Sequence, residues 1–175
     1  MRRIVILGCA GSGKSTLARR LGQQLHLPVI HLDRLFWGPG WTWPDITGFR
    51  ARVAEAIADE AWISDGNYVL TSFDLTLPRA DTIIILERAR WLCLFRVLWR
   101  TLSRRERSDR PEGCREQLDW QLISYVWRFR KLGGPRIEAG LLVHGAGLPV
   151  IRLRSEREIN DFLASPPQPP SSPAG

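Results

Sequence analysis

The sequence predicts an open α/β fold, in which parallel strands form one sheet and helices cover both of its faces. Three observations support this prediction. Short apolar runs rich in β-branched residues alternate with segments of helical periodicity along the 175 residues. The first apolar run passes through a glycine-rich turn into a helix, and two later runs end on an aspartate. Because the carboxyl ends of parallel strands meet at one edge of a sheet, these features predict a ligand site at that edge.

The predicted strands and helices follow one another in a regular order. Strands are predicted at 3–7, 28–33, 61–65, 81–86 and 149–153. Helices are predicted from the glycine-rich turn to 25, at 46–60, within 71–80, and at 90–105, 116–132 and 136–144, with a last one from 155. Asp45 is expected to cap the helix that follows it, and Ser155 with Glu158 forms a capping box. Gly133, Gly134 and Pro135 predict that one helix ends at 132.

The turn after the first strand, Gly8 to Ser15, has the spacing of a phosphate-binding P-loop. Its glycines allow successive backbone N–H groups to face an anion, at the positive end of the following helix. Lys14 is expected to reach the β and γ phosphates, Ser15 to ligate Mg²⁺, and Thr16 to lie toward the α phosphate. The predicted nucleotide-binding residues are Gly8, Cys9, Ala10, Gly11, Ser12, Gly13, Lys14, Ser15 and Thr16. The chain lacks an Asn-Lys-x-Asp guanine motif; together with the acids at 33 and 65 and the arginine-rich segment described below, this favours a small kinase.

Two aspartates at predicted strand ends are the candidate acidic groups of the site. Asp33 is expected to hold an acceptor hydroxyl, to act as a general base, or to bind Mg²⁺ through water; the alternative is a loop aspartate that caps the next turn. Asp65 precedes Gly66 and is the favoured Mg²⁺ ligand together with Ser15; the alternative is a turn former. Glu87, after the fourth strand, is a less favoured carboxylate for the metal.

The basic residues concentrate in one segment. Residues 88–136 hold thirteen Arg or Lys and five acidic residues, so they account for the whole net charge of +7. Arg96 and Arg100 lie four apart on one predicted helix face, where they suit a polyphosphate. The polar stretch at about 103–113 is interpreted as a lid, from which Arg110 is expected to close over the triphosphate; the alternative is a solvated loop.

Composition sets the class of protein. The 44% hydrophobic and 25% charged content is typical of a soluble globular domain, assigned to 1–164. The Pro- and Ser-rich tail at 165–175 is expected to be disordered. Three cysteines without paired or metal-ligand spacing, and no run of 18 apolar residues, predict a cytoplasmic protein, expected to be a monomer without a membrane partner. The tryptophans at 37, 41 and 43 either wall an acceptor site or anchor their loop.

The chain resembles the P-loop kinases of the adenylate kinase and shikimate kinase kind, and in detail the small topology-modulation proteins, also labelled adenylate-kinase-like. The resemblance covers residues 2–164 and is carried by the P-loop, by 31–43 with its Phe-Trp and Gly-Trp pairs, by 62–68, and by the Arg96 and Arg100 helix. It implies a three-layer P-loop NTPase fold with strand order 2-3-1-4-5 and a helical lid. It also implies that Arg96 and Arg100 bind ATP phosphates.

The sequence departs from that pattern on the acceptor side. Asn67 and Tyr68 stand where adenylate kinases have Phe-Pro-Arg, and Arg34 follows Asp33 directly instead of lying at the usual acceptor-phosphate position. We therefore expect an ATP- and Mg²⁺-dependent phosphotransferase that moves the γ-phosphoryl group to a nucleotide or to a small hydroxylated acceptor. The alternative is a nucleotide-binding regulatory protein that acts on nucleic acid through residues 88–136, as the topology-modulation label suggests.

Overall fold

A computed structural model describes residues 1–38, 40, 42–102 and 120–166. Within this part of the chain, parallel strands form one five-stranded sheet in the order β2-β3-β1-β4-β5. The strands are β1 (Arg3–Gly8), β2 (Val29–His31), β3 (Trp62–Asp65), β4 (Thr82–Leu86) and β5 (Val150–Leu153). The predicted α/β class and strand order are therefore confirmed, and the strand that leads into the P-loop lies at the centre of the sheet.

The helices connect the strands and cover the sheet. They are α1 (Lys14–Leu25), α2 (Leu32–Phe36), α3 (Ile46–Ala56), α4 (Val69–Thr76), α5 (Arg90–Leu102), α6 (Trp120–His144) and α7 (Glu156–Ala164), with a 3-10 turn at Leu77–Arg79. Both predicted caps are confirmed. The Asp45 carboxylate accepts hydrogen bonds from the N–H groups of Thr47 and Gly48. The Ser155 hydroxyl accepts one from the Glu158 N–H at 3.0 Å.

Alternation along β1 separates two apolar layers. Ile4 and Ile6 pack with α1 and α7 on one face of the sheet, and Val5 and Leu7 pack with α2, α3, α4 and α6 on the other. All four side chains are buried, as the period of two along a strand requires when both faces are covered. Among the helices of the described residues, none combines the length and apolarity needed to span a membrane.

A third, smaller cluster docks α5 and α6 onto the P-loop. It consists of Cys9, Cys93, Val97 and Val126, all buried. The approach is so close that a Cβ on Gly11 would lie 2.3 Å from the carbonyl oxygen of Cys93. The loop that is predicted to bind phosphate and the helix that carries Arg96 therefore form one packed unit.

Two local predictions are wrong. The predicted helix end at Gly133, Gly134 and Pro135 does not occur, because α6 continues through Pro135 to His144. A proline removes one helical hydrogen bond, and the burial of the following turns outweighs it: Gly140 packs so tightly that a Cβ there would lie 2.6 Å from the Phe73 ring. The second strand ends at His31 and not at 33. Asp33 consequently lies in the first turn of the short helix α2.

Asp81 ties the start of β1 to β4. Its carboxylate accepts hydrogen bonds from the backbone N–H groups of Arg2 at 2.7 Å and Arg3 at 2.9 Å. Burial opposes ionisation of Asp81, but these N–H donors outweigh it and lower the pKa of the carboxyl group. The carboxylate therefore stabilises the pairing of the two central strands. The predicted lid at 103–113, and the part of the predicted tail from 167 onward, lie outside the described residues.

Candidate functional site

The P-loop leads from β1 into α1 at the carboxyl edge of the sheet. Gly11 and Gly13 have φ values of 77° and 102°, which place their amides in the left-handed region, and α1 begins at the next residue, Lys14. The Lys14 ammonium group folds back over the loop and donates to the Cys9 carbonyl at 3.3 Å. Backbone amides, a helix N-terminus and one lysine thus converge at this edge, as phosphate binding requires.

Cys9 contributes to the loop through its backbone. Its side chain is buried in the cluster with Cys93 and lies 3.9 Å from the Val126 carbonyl. The hydrogen bond with the Cys93 thiol, and then burial, raise the pKa of the Cys9 thiol. The group stays protonated near neutral pH, so it serves as a packing residue beneath the loop.

Asn67 holds the start of the loop with both polar atoms of its amide. Its Oδ1 accepts from the Gly8 N–H at 3.0 Å, and its Nδ2 donates to the Gly8 carbonyl at 2.6 Å. A side-chain amide can pair with one backbone residue in this two-point manner because it offers a donor and an acceptor side by side. The residue that departs from the adenylate kinase pattern is therefore a clamp on the P-loop.

Arginines from two elements meet beside the loop. Arg96, on α5, donates to the Ser12 carbonyl at 3.4 Å, and it also contacts the Glu156 carboxylate at 3.2 Å. Arg88 contacts the same Glu156 oxygen at 3.0 Å, and its side chain is only 5% exposed. The Nη1 atom of Arg88 is buried and has no hydrogen-bond partner within the described residues. Two guanidinium groups on one carboxylate oxygen mark a place where anionic oxygen is stabilised.

The other predicted arginines are less defined by the structure. Arg100 lies one turn beyond Arg96 on α5 and is partly buried. Arg110 lies outside the described residues.

Asp65 is buried and pairs with the histidine of the neighbouring strand. It lies opposite His31 in the register of β2 and β3, and its Oδ2 accepts from His31 Nδ1 at 3.0 Å. An ionised carboxylate only accepts, so with Asp65 in that form the hydrogen bond requires the proton on Nδ1. The second oxygen, Oδ1, is buried without a partner in the described part of the chain. This oxygen retains its capacity to accept from a ligand or a water.

Asp33 is exposed and receives a hydrogen bond from Tyr68. The Tyr68 hydroxyl donates to Asp33 Oδ1 at 2.7 Å. Burial, and then the negative charge of Asp33, raise the pKa of the Tyr68 phenol well above its ordinary value. The phenol therefore remains a donor throughout the physiological pH range and fixes the orientation of the carboxylate.

Glu87, the less favoured acid in the sequence, is engaged elsewhere. Arg152 and Arg154 on the β5 side both donate to its carboxylate. Burial works against the charged form, but these hydrogen bonds outweigh it and hold the pKa of Glu87 below its usual range. This carboxylate serves to join β4 to β5.

The residues at the loop fit the donor set that Mg²⁺ uses. Within the described residues, no group of three or more His, Cys, Asp or Glu side chains is placed to hold a metal. In phosphate-transfer sites, Mg²⁺ takes one or two protein ligands and fills its other positions with phosphate oxygens and water. Ser15 lies in the first turn of α1, and Asp65, at the end of β3, has a buried oxygen without a partner among the described residues. These two residues are the ones that would hold the ion.

A cavity of about 260 Å³ borders the same edge. Asn67 and Tyr68 form part of its wall, and Trp43 lines it while packing edge-on against Phe36 with ring centroids 5.5 Å apart. Trp37 also packs against Phe36, at 5.0 Å. Trp37 and Trp43 thus anchor their loop on Phe36, and Trp43 also lines the cavity, whereas Trp41 lies outside the described residues. That these tryptophans wall an acceptor site stays a prediction.

Sequence reasoning missed several members of the site. Arg88 follows the carboxyl end of β4 by two residues, so the rule that ligands bind at strand ends points to it. Nothing in the sequence indicates that Glu156 would pair with it, since the two are 68 positions apart. Tyr125 and Phe129 lie four residues apart on the side of α6 that lines the cavity. This spacing is visible in the sequence, but the sequence does not indicate which element that side of the helix would face.

Solved structures with a similar fold include small kinases. A shikimate kinase from Acinetobacter baumannii, in complex with shikimate, aligns with a TM-score of 0.61 and 17% identity, covering 94% of this chain and 89% of that chain. A shikimate kinase from Bacteroides thetaiotaomicron aligns with a TM-score of 0.58 and 17% identity, covering 93% of this chain and 94% of that chain. A sugar kinase from a Janibacter species aligns with a TM-score of 0.50 and 18% identity, covering 94% of this chain and 93% of that chain.

The sequence comparisons add no relative. No family model and no curated protein matches the chain, so the narrower resemblance to topology-modulation proteins finds no support. At identities of 16–18%, the structural likeness concerns the fold. The chain has the fold of the small P-loop kinases.

Proposed function

We propose that this protein is an ATP- and Mg²⁺-dependent phosphotransferase that phosphorylates a small acceptor. The P-loop amides and Lys14 bind the β and γ phosphates, and Arg96 and Arg100 neutralise charge on the transferred group. Arg110 is proposed to join them from the segment that the structure does not describe. Ser15 and Asp65 would hold Mg²⁺, which would supply positive charge to the phosphate groups.

In the proposed reaction, Asp33 orients the acceptor hydroxyl. The hydroxyl oxygen forms a bond to the γ-phosphorus, and the bond from that phosphorus to the β–γ bridging oxygen breaks, so ADP leaves with the electron pair. The hydroxyl proton passes to the Asp33 carboxylate. Tyr68 keeps that carboxylate in place by its 2.7 Å hydrogen bond.

One observation carries the proposal. The two cations Lys14 and Arg96 both donate to backbone carbonyls of the P-loop, at Cys9 and Ser12. Each therefore lies at the loop before any ligand is bound, and only a short side-chain movement separates it from a bound phosphate. The small-kinase fold supports the same assignment.

Lys14 allows a sharp test, because the chain has only two lysines and the other, Lys131, is exposed on α6. We expect Lys14→Ala to lose ATP binding by calorimetry and to lose ADP formation by at least a hundredfold, the order found when one charge-stabilising donor is removed. Lys131→Ala is the matched control and should behave like the parent. A Lys14→Ala protein that binds and consumes ATP like the parent would contradict the proposal.

A second candidate function rests on the outer face of α5. Trp91 and Trp99 are each 64% exposed and Phe95 is 61% exposed, and the rings of Phe95 and Trp99 are stacked 6.2 Å apart. Arg90 lies over the neighbouring Trp127 ring at 4.4 Å. Exposed rings among arginines are the features on which single-stranded nucleic acids stack.

Binding of a fluorescent single-stranded oligonucleotide tests this alternative. We expect the affinity to fall steeply with salt and to drop further in a Phe95→Ala, Trp99→Ala double variant, since stacking and phosphate contacts act together. Undetectable binding, or binding indifferent to salt, would remove this candidate while leaving the kinase proposal untouched.

A further inference from the structure

The cavity next to the P-loop borders the carboxyl edge of the sheet, where the proposed site lies. Asn67 and Tyr68 line it. The Asn67 amide forms hydrogen bonds with the Gly8 backbone at 2.6–3.0 Å, and the Tyr68 hydroxyl donates to Asp33 at 2.7 Å. A molecule in this cavity would therefore rest against the two residues that position the loop and the proposed base. This places the cavity on the acceptor side of the site.

The surface that the cavity offers is mainly apolar, and five aromatic side chains form part of it. Phe36 and Tyr68 pack with ring centroids 4.6 Å apart on the side of α2, and Tyr125 and Phe129 pack at 5.6 Å on the side of α6. The polar tips of this wall are already committed, since Tyr68 donates to Asp33, and the Tyr125 hydroxyl lies 3.4 Å from the Asn67 amide. Ring faces and methyl groups therefore make up most of the surface that a ligand would contact.

Among the described residues, one charged side chain lines the cavity, that of Arg136. It follows Tyr125, Phe129 and Gly133 along the same side of α6, at spacings of four, four and three residues. Within the described residues its guanidinium group forms no ion pair, whereas the arginines at the P-loop are paired with Glu156. A planar guanidinium group matches the two oxygens of a carboxylate or phosphate.

The volume limits the size of the occupant. At about 260 Å³ the cavity is smaller than the roughly 300–1,000 Å³ usual for small-molecule sites. This favours one substituted ring over the base, sugar and phosphate of a nucleoside monophosphate. A polyol fits by size, but its hydroxyl groups would lose hydrogen bonds to water against the aromatic wall.

We propose that the acceptor is a single-ring, predominantly apolar molecule that carries one hydroxyl group and one anionic group, with the ring between Phe36 and Phe129 and the anion on Arg136. This inference rests on the proposed kinase function and names the class of its acceptor. It separates the protein from kinases of nucleotides and of polyhydroxylated substrates.

The test compares ring compounds that differ in one group. A set of hydroxymethylbenzoates, the corresponding hydroxymethylphenyl phosphates and uncharged benzyl alcohol is titrated by calorimetry, with glucose and AMP alongside, and ADP formation is measured with ATP present. We expect at least one anionic ring compound to bind tenfold or more tightly than benzyl alcohol and to accelerate ADP formation. The carboxylate and phosphate series distinguish the two possible anions.

Variants assign the contacts. Arg136→Gln should remove the preference for the anionic ring compound and leave the affinity for benzyl alcohol unchanged. Arg130→Gln, an exposed arginine of the same helix that does not line the cavity, is the matched control. Trp43→Ala should weaken all ring compounds alike; this side chain is 74% exposed, so its removal spares the core.

Several results would overturn the inference. Charge-indifferent binding, a preference unaffected by Arg136→Gln, or acceleration by AMP or glucose in place of ring compounds would each refute the acceptor class. Lys14-dependent ATP turnover in the same experiments would show that the kinase proposal still stands. A protein that does not bind ATP would instead refute the proposed function itself.

Discussion

The contact between Gly11 and α5 predicts a large effect from one methyl group. Replacement of Gly11 by alanine would place a Cβ 2.3 Å from the Cys93 carbonyl oxygen, about 1 Å closer than ordinary contact, at a φ of 77°. Gly147 provides a matched control, because its φ is 83° and no atom lies within 4 Å of the corresponding Cβ. The two substitutions share the backbone strain and differ in the clash.

The expected losses of stability follow from the backbone strain and from the clash. An alanine held in the left-handed region costs about 1–2 kcal/mol, and overpacking that forces the backbone apart costs about 1–3 kcal/mol more. Gly147→Ala should therefore lower the free energy of unfolding by about 1–2 kcal/mol, and Gly11→Ala by about 2–5 kcal/mol. Effects of the methyl group on the unfolded chain are the same for both variants and cancel in the comparison.

Urea unfolding followed by tryptophan fluorescence and by circular dichroism measures both values. Nucleotide binding gives a second readout, since moving α5 away from the loop also moves Arg96 away from Ser12. We expect Gly11→Ala, but not Gly147→Ala, to weaken ATP binding. Equal losses of stability in the two variants would refute the contact between the loop and α5.

Three further predictions concern polar groups. Asn67→Asp replaces the donor to the Gly8 carbonyl by an oxygen. It should cost about 1–3 kcal/mol of unfolding free energy and weaken ATP binding. An unchanged ATP affinity would contradict the role of Asn67 in holding the P-loop at Gly8. Because the folded-state pKa of Asp81 is lowered, its contribution is present above the unfolded pKa of about 4 and is lost as pH falls further. Asp81→Asn should thus destabilise the protein at pH 7 and flatten its acid unfolding profile, whereas parallel profiles would contradict this. Glu156→Gln removes the carboxylate that pairs with Arg88 and Arg96, so both guanidinium groups can contact phosphate. ATP affinity should then rise by about two- to fivefold, which corresponds to the free energy of a partly exposed ion pair. Weaker binding would contradict a competition between Glu156 and phosphate for these arginines.

The order of elements could be predicted because each strand is marked by local chemistry. The run Ile4 to Leu7 is apolar without interruption, which only a strand with both faces covered explains, and the P-loop that follows supplies a turn of known form. Acids two residues beyond β2 and at the end of β3 then indicate the ligand edge. These are features of short segments, so the sequence displays them directly.

The helix α6 shows where local rules stop. Gly133, Gly134 and Pro135 satisfy the rules for a helix end, and in isolation they would stop the helix. Gly140, which lies on a later turn, packs against Phe73 from α4, and this contact depends on the assembled fold. Tertiary packing therefore decides the outcome over local propensity.

Pairings within the site were also beyond prediction. Gly8 and Asn67 are 59 positions apart, and Asp33 and Tyr68 are 35 apart. Each residue could be placed near the carboxyl edge of the sheet from its strand. Which side chains would then meet depends on directions that only the folded backbone defines.

The pairing of Arg88 with Glu156 has a consequence for synthesis of the protein. The P-loop and Arg88 leave the ribosome before Glu156, which follows Arg88 by 68 positions, a delay of roughly 3–14 s at about 5–20 residues per second. During that interval β4 lacks its outer neighbour β5, and the Arg88 guanidinium group lacks its carboxylate. The nascent chain therefore carries its phosphate-binding motif well before it can bury the charge beside it, and a native site forms only after the last helix has emerged.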